Sequence, residues 1–151
     1  MGKKTTTEQK APPKQIEKRK RPNFYSAEYR ARVVKDYTKL WSDFFRAFSE
    51  GLHERKIYES DEQSFFQIVS LCSLNYYRFE EMAGDYMKDS DKVLDVLSDT
   101  VSLSHLKALS EAQFSKLEVD WHSLFIAMNK CLGKILTMLP PEVQKEIESC
   151  P

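Results

Sequence analysis

An all-α fold follows from three features of the sequence. Apolar side chains recur at spacings of three and four over three long stretches, and two of those stretches open on a Ser-x-x-Gln capping pattern. No stretch alternates in the manner of a strand, and neither an Asn-Gly nor an Asp-Gly turn is present. The most economical arrangement is an antiparallel helical bundle of three long helices plus a short one, with a disordered basic N-terminal tail. The expected boundaries are a tail over residues 1–22, a bundle over 23–140 and a C-terminal tail over 141–151.

Residues 1–22 are almost without apolar side chains and include Pro12 and Pro13. Such a segment cannot offset the entropy of ordering itself. Pro22 disfavours helix immediately before it, and Ser26 with Glu28 in the following turn marks a helix start. Val34, Tyr37, Trp41, Phe44 and Phe48 then lay one seam along a helix ending at Gly51. Ser60-Asp61-Glu62-Gln63 reads as a capping box for the second helix, whose seam is Phe65, Val69, Cys72, Tyr76, Phe79, Ala83 and Tyr86, with fraying near Gly84. Leu94, Leu97 and Val101 predict a short helix, broken in "SDTVSLS", where Ser and Thr compete for backbone hydrogen bonds. Ser110 and Gln113 form the second box. Behind it Phe114, Leu117, Trp121, Leu124, Met128, Cys131, Ile135 and Met138 make the most regular seam, closed by Pro140 and Pro141. Fifteen of the eighteen aromatics lie between Phe24 and Tyr86, so the first two helices are expected to meet in an aromatic-rich contact.

The composition narrows the function classes. Four glycines, at positions 2, 51, 84 and 133, leave no phosphate-cradling loop of the Walker or dinucleotide type. No His stands at zinc-site spacing from another His or a Cys. Glu50-Gly51-Leu52-His53 has the Glu-x-x-His spacing of di-iron bundles, but such sites need two copies of it and two further inward glutamates. Glu118 and His122, one turn apart beside the seam, are expected to be a surface pair. Cys72 and Cys131 fall on seams and are expected to pack as small hydrophobes, as Trp41 and Trp121 fill theirs. The chain is therefore expected to be no enzyme and to hold no cofactor and no metal. Three widely spaced cysteines without a secretory leader imply a reducing compartment, and no apolar run reaches the ~20 residues of a membrane span. The expected setting is cytoplasmic, or nuclear in a eukaryotic cell, and away from membranes.

Charge is the informative property. Net formal charge is zero, yet residues 1–22 hold eight of the 23 Lys/Arg and two of the 23 Asp/Glu, a net of +6. The other 129 residues carry fifteen cations against 21 acids. Lys18, Arg19, Lys20 and Arg21 are consecutive, and Arg32, Lys35, Lys39 and Arg46 recur on the side of the first helix away from its seam. These eight side chains are the candidate nucleic-acid-binding set, a basic path suited to phosphate. Residues 80–99, with seven acids and two lysines, would repel it.

The order of these features resembles the small subunit of phage terminases, the DNA-packaging factor. The resemblance covers roughly residues 22–85: a basic, proline-containing tail, then "LWSDFFRAFSEGL", then "IYESDEQSFFQIVSLCSLNYYRFEEM". It rests on Trp41, Gly51, Asp61, Cys72, Tyr76 or Tyr77, and Glu80 with Glu81. "LTMLPPEV" loosely echoes the "GLTP"-like turn that closes the last helix in that family. The resemblance implies a ring-forming homo-oligomer without enzymatic activity that recognises viral duplex DNA and passes it to a separate ATP-driven large subunit. The alternative is a helical protein–protein interaction module in which "KRKRP" is a nuclear address in a eukaryotic cell.

Overall fold

A computed structural model describes residues 25–52 and 56–149. They are all-helical, with no strand among the described residues. Seven α-helices follow one another: α1 (Ala27–Gly51), α2 (Glu59–Leu74), α3 (Tyr76–Ala83), α4 (Lys92–Asp99), α5 (Leu103–Lys107), α6 (Glu111–Leu136) and α7 (Pro141–Ser149), with a 3₁₀ turn at Gly84–Tyr86.

α1 starts where Ser26 accepts the Tyr29 N–H at 3.1 Å. All five expected seam residues, Val34 to Phe48, are buried. α6 opens on the predicted box: Gln113 Oε1 accepts from Ser110 N–H at 3.0 Å while Ser110 Oγ accepts from Gln113 N–H at 3.2 Å. The two helices run antiparallel, since Phe48 meets Phe114 at 6.0 Å and Trp41 meets Trp121 at 6.2 Å. The indoles lie 4° from parallel and bond reciprocally: Trp41 Nε1–H donates to the Trp121 carbonyl at 3.3 Å, and Trp121 Nε1–H to the Trp41 carbonyl at 3.1 Å. Two large apolar bodies are thus buried without leaving a polar handle unpaired.

The expected aromatic contact between the first two helices is present but shared with α6. Tyr37 stacks on Phe79 at 4.5 Å and Phe44 approaches Phe65 at 6.0 Å, whereas Phe45 and Phe125 both pack on Trp121. Tyr37 also donates its hydroxyl to the Cys72 carbonyl at 2.7 Å, and its burial raises its pKa. The buried hydroxyls of Thr38 and Thr100 return to carbonyls of their own helices.

Four expectations are corrected. The second helix starts at Glu59, so the reciprocal Ser60–Gln63 box gives way to Asp61 at the third helical position, accepting from Tyr58 N–H at 2.9 Å; an acid there also faces the positive end of the helix dipole. That helix is not continuous: Ser73 Oγ and Asn75 Nδ2 donate to the Val69 and Leu71 carbonyls at 3.0 and 2.9 Å, competing with the ladder, and α3 restarts after Asn75. The 88–110 stretch breaks within "SDTVSLS" as expected, giving two short helices, but the seam of the first is Val93, Val96 and Leu97, with Val101 exposed and Leu94 at the surface. Finally, 141–149 is no tail. α6 stops at Leu136, leaving Met138 half exposed outside it, and Pro141 takes the first position of α7, where its missing N–H costs nothing.

Two polar links seat the short helices. The Glu62 carboxylate accepts from Leu103 N–H at 2.8 Å, Ser104 N–H at 3.0 Å and Ser104 Oγ–H at 2.7 Å, tying α2 to the start of α5. Burial opposes its charge, but the Ser104 hydroxyl and the two amides outweigh that and hold its pKa below the ordinary carboxylate range. At the other end, Arg30 Nε–H donates to the Met82 carbonyl at 2.9 Å and its guanidinium covers the Tyr86 ring at 5.6 Å. Gly84 turns the chain between them at φ +56° and ψ −136°, a conformation only glycine adopts without strain.

Candidate nucleic-acid interface

Lys18, Arg19, Lys20 and Arg21 lie outside the described residues, as does His53. The other four candidate cations sit on one side of α1, which carries them toward its exposed face while Val34, Trp41 and Phe48 point into the core. Their environments differ. Arg32 bonds Glu28 one turn back at 2.9 Å and reaches Glu146 of α7 at 3.4 Å. Lys35 donates to the Ile147 carbonyl near the end of α7, where a cation complements the helix dipole. Arg46 pairs with Asp43 at 3.2 Å on an open surface. Lys39 is exposed.

The stripe therefore divides in two. Arg32 and Lys35 hold α7 against α1, whose other anchor is the buried Ile147. Lys39 and Arg46 remain presentable to a phosphate, because an exposed pair such as Arg46–Asp43 contributes only about 0–1 kcal/mol and exchanges readily. Glu28, Asp36, Asp43 and Glu50 share this side of the helix, so the face as a whole is near neutral. The i,i+4 spacing of Glu28 to Arg32 and the i,i+3 spacing of Asp43 to Arg46 were signals of that neutralisation in the sequence. No local signal marks the Lys35 partnership, which depends on where α7 folds back.

The other candidate chemistries are placed as follows. Cys72 and Cys131 are buried, and burial pushes their thiols up to about 12 and about 11. They pack as core residues and hold little thiolate at neutral pH. The His122 ring is exposed and leans on Phe45 at 5.2 Å and Trp121 at 4.9 Å. A surface depression of about 360 Å³ between α4, α5 and α6 is lined by Asp99, His105, Gln113, Lys116 and Asp120, with the Lys116 ammonium held by Asp120 at 2.7 Å. Among the described residues no three His, Cys, Asp or Glu side chains converge as a metal site. No described helix is long and apolar enough to cross a membrane. Comparison with protein-family models, with curated proteins and with solved structures found no match.

Proposed function

We propose that the chain is a non-catalytic, DNA-binding oligomeric adaptor of the phage-packaging type, with the cationic arm Lys18–Arg21 supplying most of the phosphate contacts. The observation that carries this reading is the partition of charge: a net +6 in residues 1–22 beside a helical body of net −6. An arm so placed attracts a polyanion while the body, and residues 80–99 most of all, repels it, which orients the duplex toward the amino-terminal side. Lys39 and Arg46 extend the arm's contacts, while Arg32 and Lys35 serve mainly to seat α7. In this reading α1, α2 with α3, and α6 form a rigid antiparallel frame, and the partner that receives the DNA is a separate ATP-driven subunit, as the terminase resemblance implies.

The test is a duplex titration at low salt with the intact chain and with a form lacking residues 1–22. Affinity falls at least about tenfold on deletion if the arm carries the contacts. Equal affinities remove the proposal. A second reading, a protein-interaction module with a nuclear address, is favoured by one observation, the four consecutive cations Lys18 to Arg21 before Pro22. It predicts that residues 14–24 fused to a reporter concentrate it in nuclei, and an evenly spread reporter refutes the address.

A further inference from the structure

The longest uncharged stretch of the chain is Gln63–Tyr77, fifteen residues in a protein that is 30% charged. It spans most of α2 and the start of α3, and it is apolar on both sides. Phe65 and Cys72 face the core, yet Phe66 is 67% exposed, Leu71 47%, Leu74 79% and Tyr77 68%. With helical periodicity these four share one outer face with Gln63, Gln67 and Ser70. At about 200 Å² per fully exposed large side chain, they present about 500 Å² of apolar surface, near the top of what a soluble monomer shows. With the flanking Gln and Ser side chains the face approaches the ~800 Å² per partner of a stable complex.

The ends of the face say what covers it. Glu59 is exposed at its start and Arg78 at its end, and neither has an ion-pair partner among the described residues. Nineteen positions separate them, sixteen residues of α2 from Glu59 to Leu74 and the first turn of α3 beyond the break at Asn75. A two-fold axis perpendicular to α2 at the level of Ile68 and Val69 sets each Glu59 against the far end of the other copy's face, the end that carries Arg78 at the start of α3. In the same register Phe66 lies level with the other copy's Leu71, Gln63 with Leu74 and Gln67 with Ser70, whose small side chain admits close approach. No like charges oppose each other along the uncharged run. An isologous contact needs this self-complementarity, and a foreign partner does not. An anionic membrane surface fits poorly, since Glu59, Asp61 and Glu62 flank one end and Glu80 and Glu81 the other, where an interfacial helix carries Lys and Arg.

We propose that the outer face of α2 and the start of α3 is a homodimer interface, packing antiparallel on the same face of a second copy. The inference rests on the oligomer of the proposed function only in naming one contact within it: a two-fold contact closes at two copies, so a ring would need a second, head-to-tail surface.

Sedimentation of the full chain over a concentration series tests it, with circular dichroism to verify the fold of each variant. The intact chain forms a dimer, and Leu74→Lys, at a site already largely solvated, raises the dissociation constant at least about tenfold. Glu59→Arg alone and Arg78→Glu alone weaken the dimer, and the double swap E59R/R78E restores it, an outcome that generic surface damage does not produce. An intact chain that stays monomeric overturns the proposal, as does an oligomer that Leu74→Lys leaves unchanged or a double swap no stronger than either single. Duplex affinity measured on the same samples separates the two claims: a monomer that binds DNA refutes the interface alone, and a dimer indifferent to DNA refutes the function alone.

Discussion

Replacing Trp121 by Phe probes the joint on which α1 and α6 depend. The change removes the Nε1–H bond to the Trp41 carbonyl, 3.1 Å long and buried. That carbonyl stays within its own helix ladder, so the loss is near the ordinary ~1 kcal/mol for a hydrogen bond. The smaller ring gives up roughly 40 Å² of apolar contact, about 1 kcal/mol at 25 cal/mol per Å². It leaves a gap of about 35 Å³, a further ~0.8 kcal/mol where neighbours cannot collapse. Phe45 at 4.3 Å and Phe125 at 5.1 Å fix those neighbours in place. The expected cost is about 2–3 kcal/mol. Trp41→Phe should cost a similar amount, because its environment mirrors the first. The double variant should cost at least ~0.5 kcal/mol less than the sum, since each indole supplies part of the other's packing. The double variant contains no tryptophan. Urea unfolding should therefore be followed by far-ultraviolet circular dichroism. A single-variant cost under about 0.5 kcal/mol, or strict additivity, would refute the reciprocal stack as a stabilising unit.

Three further outcomes are expected. Glu62→Gln should cost about 1 kcal/mol near neutral pH, the worth of a charge-assisted cap on a partly solvated site. Its folded pKa lies below the unfolded value, so the carboxylate's contribution is complete above the ordinary pKa of about 4.3 and is lost as pH falls through the folded value; the gap between variant and parent in urea midpoint should close on acidification. Gly84→Ala should lower stability by about 1–2 kcal/mol in thermal unfolding, since φ is +56° and the new Cβ would sit 3.3 Å from an Arg30 nitrogen, which must then give way slightly. Lys35→Met should speed amide exchange across Pro141–Ser149 and leave α6 protected, whereas uniform protection would show that the Ile147 carbonyl contact does not hold α7.

How much of this was legible in the sequence depended on whether the cause was local. The α1 and α6 seams were readable because every third or fourth position is large and apolar, and Ser26 and the Ser110–Gln113 box stand directly before them. The second helix read as one continuous seam because Phe65 to Ala83 keep step across Asn75. The break comes from Ser73 and Asn75 side chains folding back on their own carbonyls, and polar residues at those spacings occur inside many unbroken helices. Val101 was assigned to a seam by spacing alone, while Thr100 ends α4 by turning its hydroxyl onto two carbonyls of its last turn. α7 was hidden for a different reason. It has one buried apolar anchor, Ile147, and its docking depends on Arg32 and Lys35, more than 110 positions away in the chain. Those same contacts reduced the basic stripe. Cations counted along a helix look available until the acids and carbonyls that the fold brings to them are known.

The claim that the arm binds DNA is tested most directly by the salt dependence of duplex affinity. If Lys18 to Arg21 neutralise four phosphates, with Lys39 and Arg46 adding up to two more, log K against log salt should fall with a slope between about −3.5 and −5.5. Replacing the four arm cations by alanine should flatten that slope by about 3.5. A slope near zero for the intact chain, or one that the fourfold replacement leaves unchanged, contradicts the account.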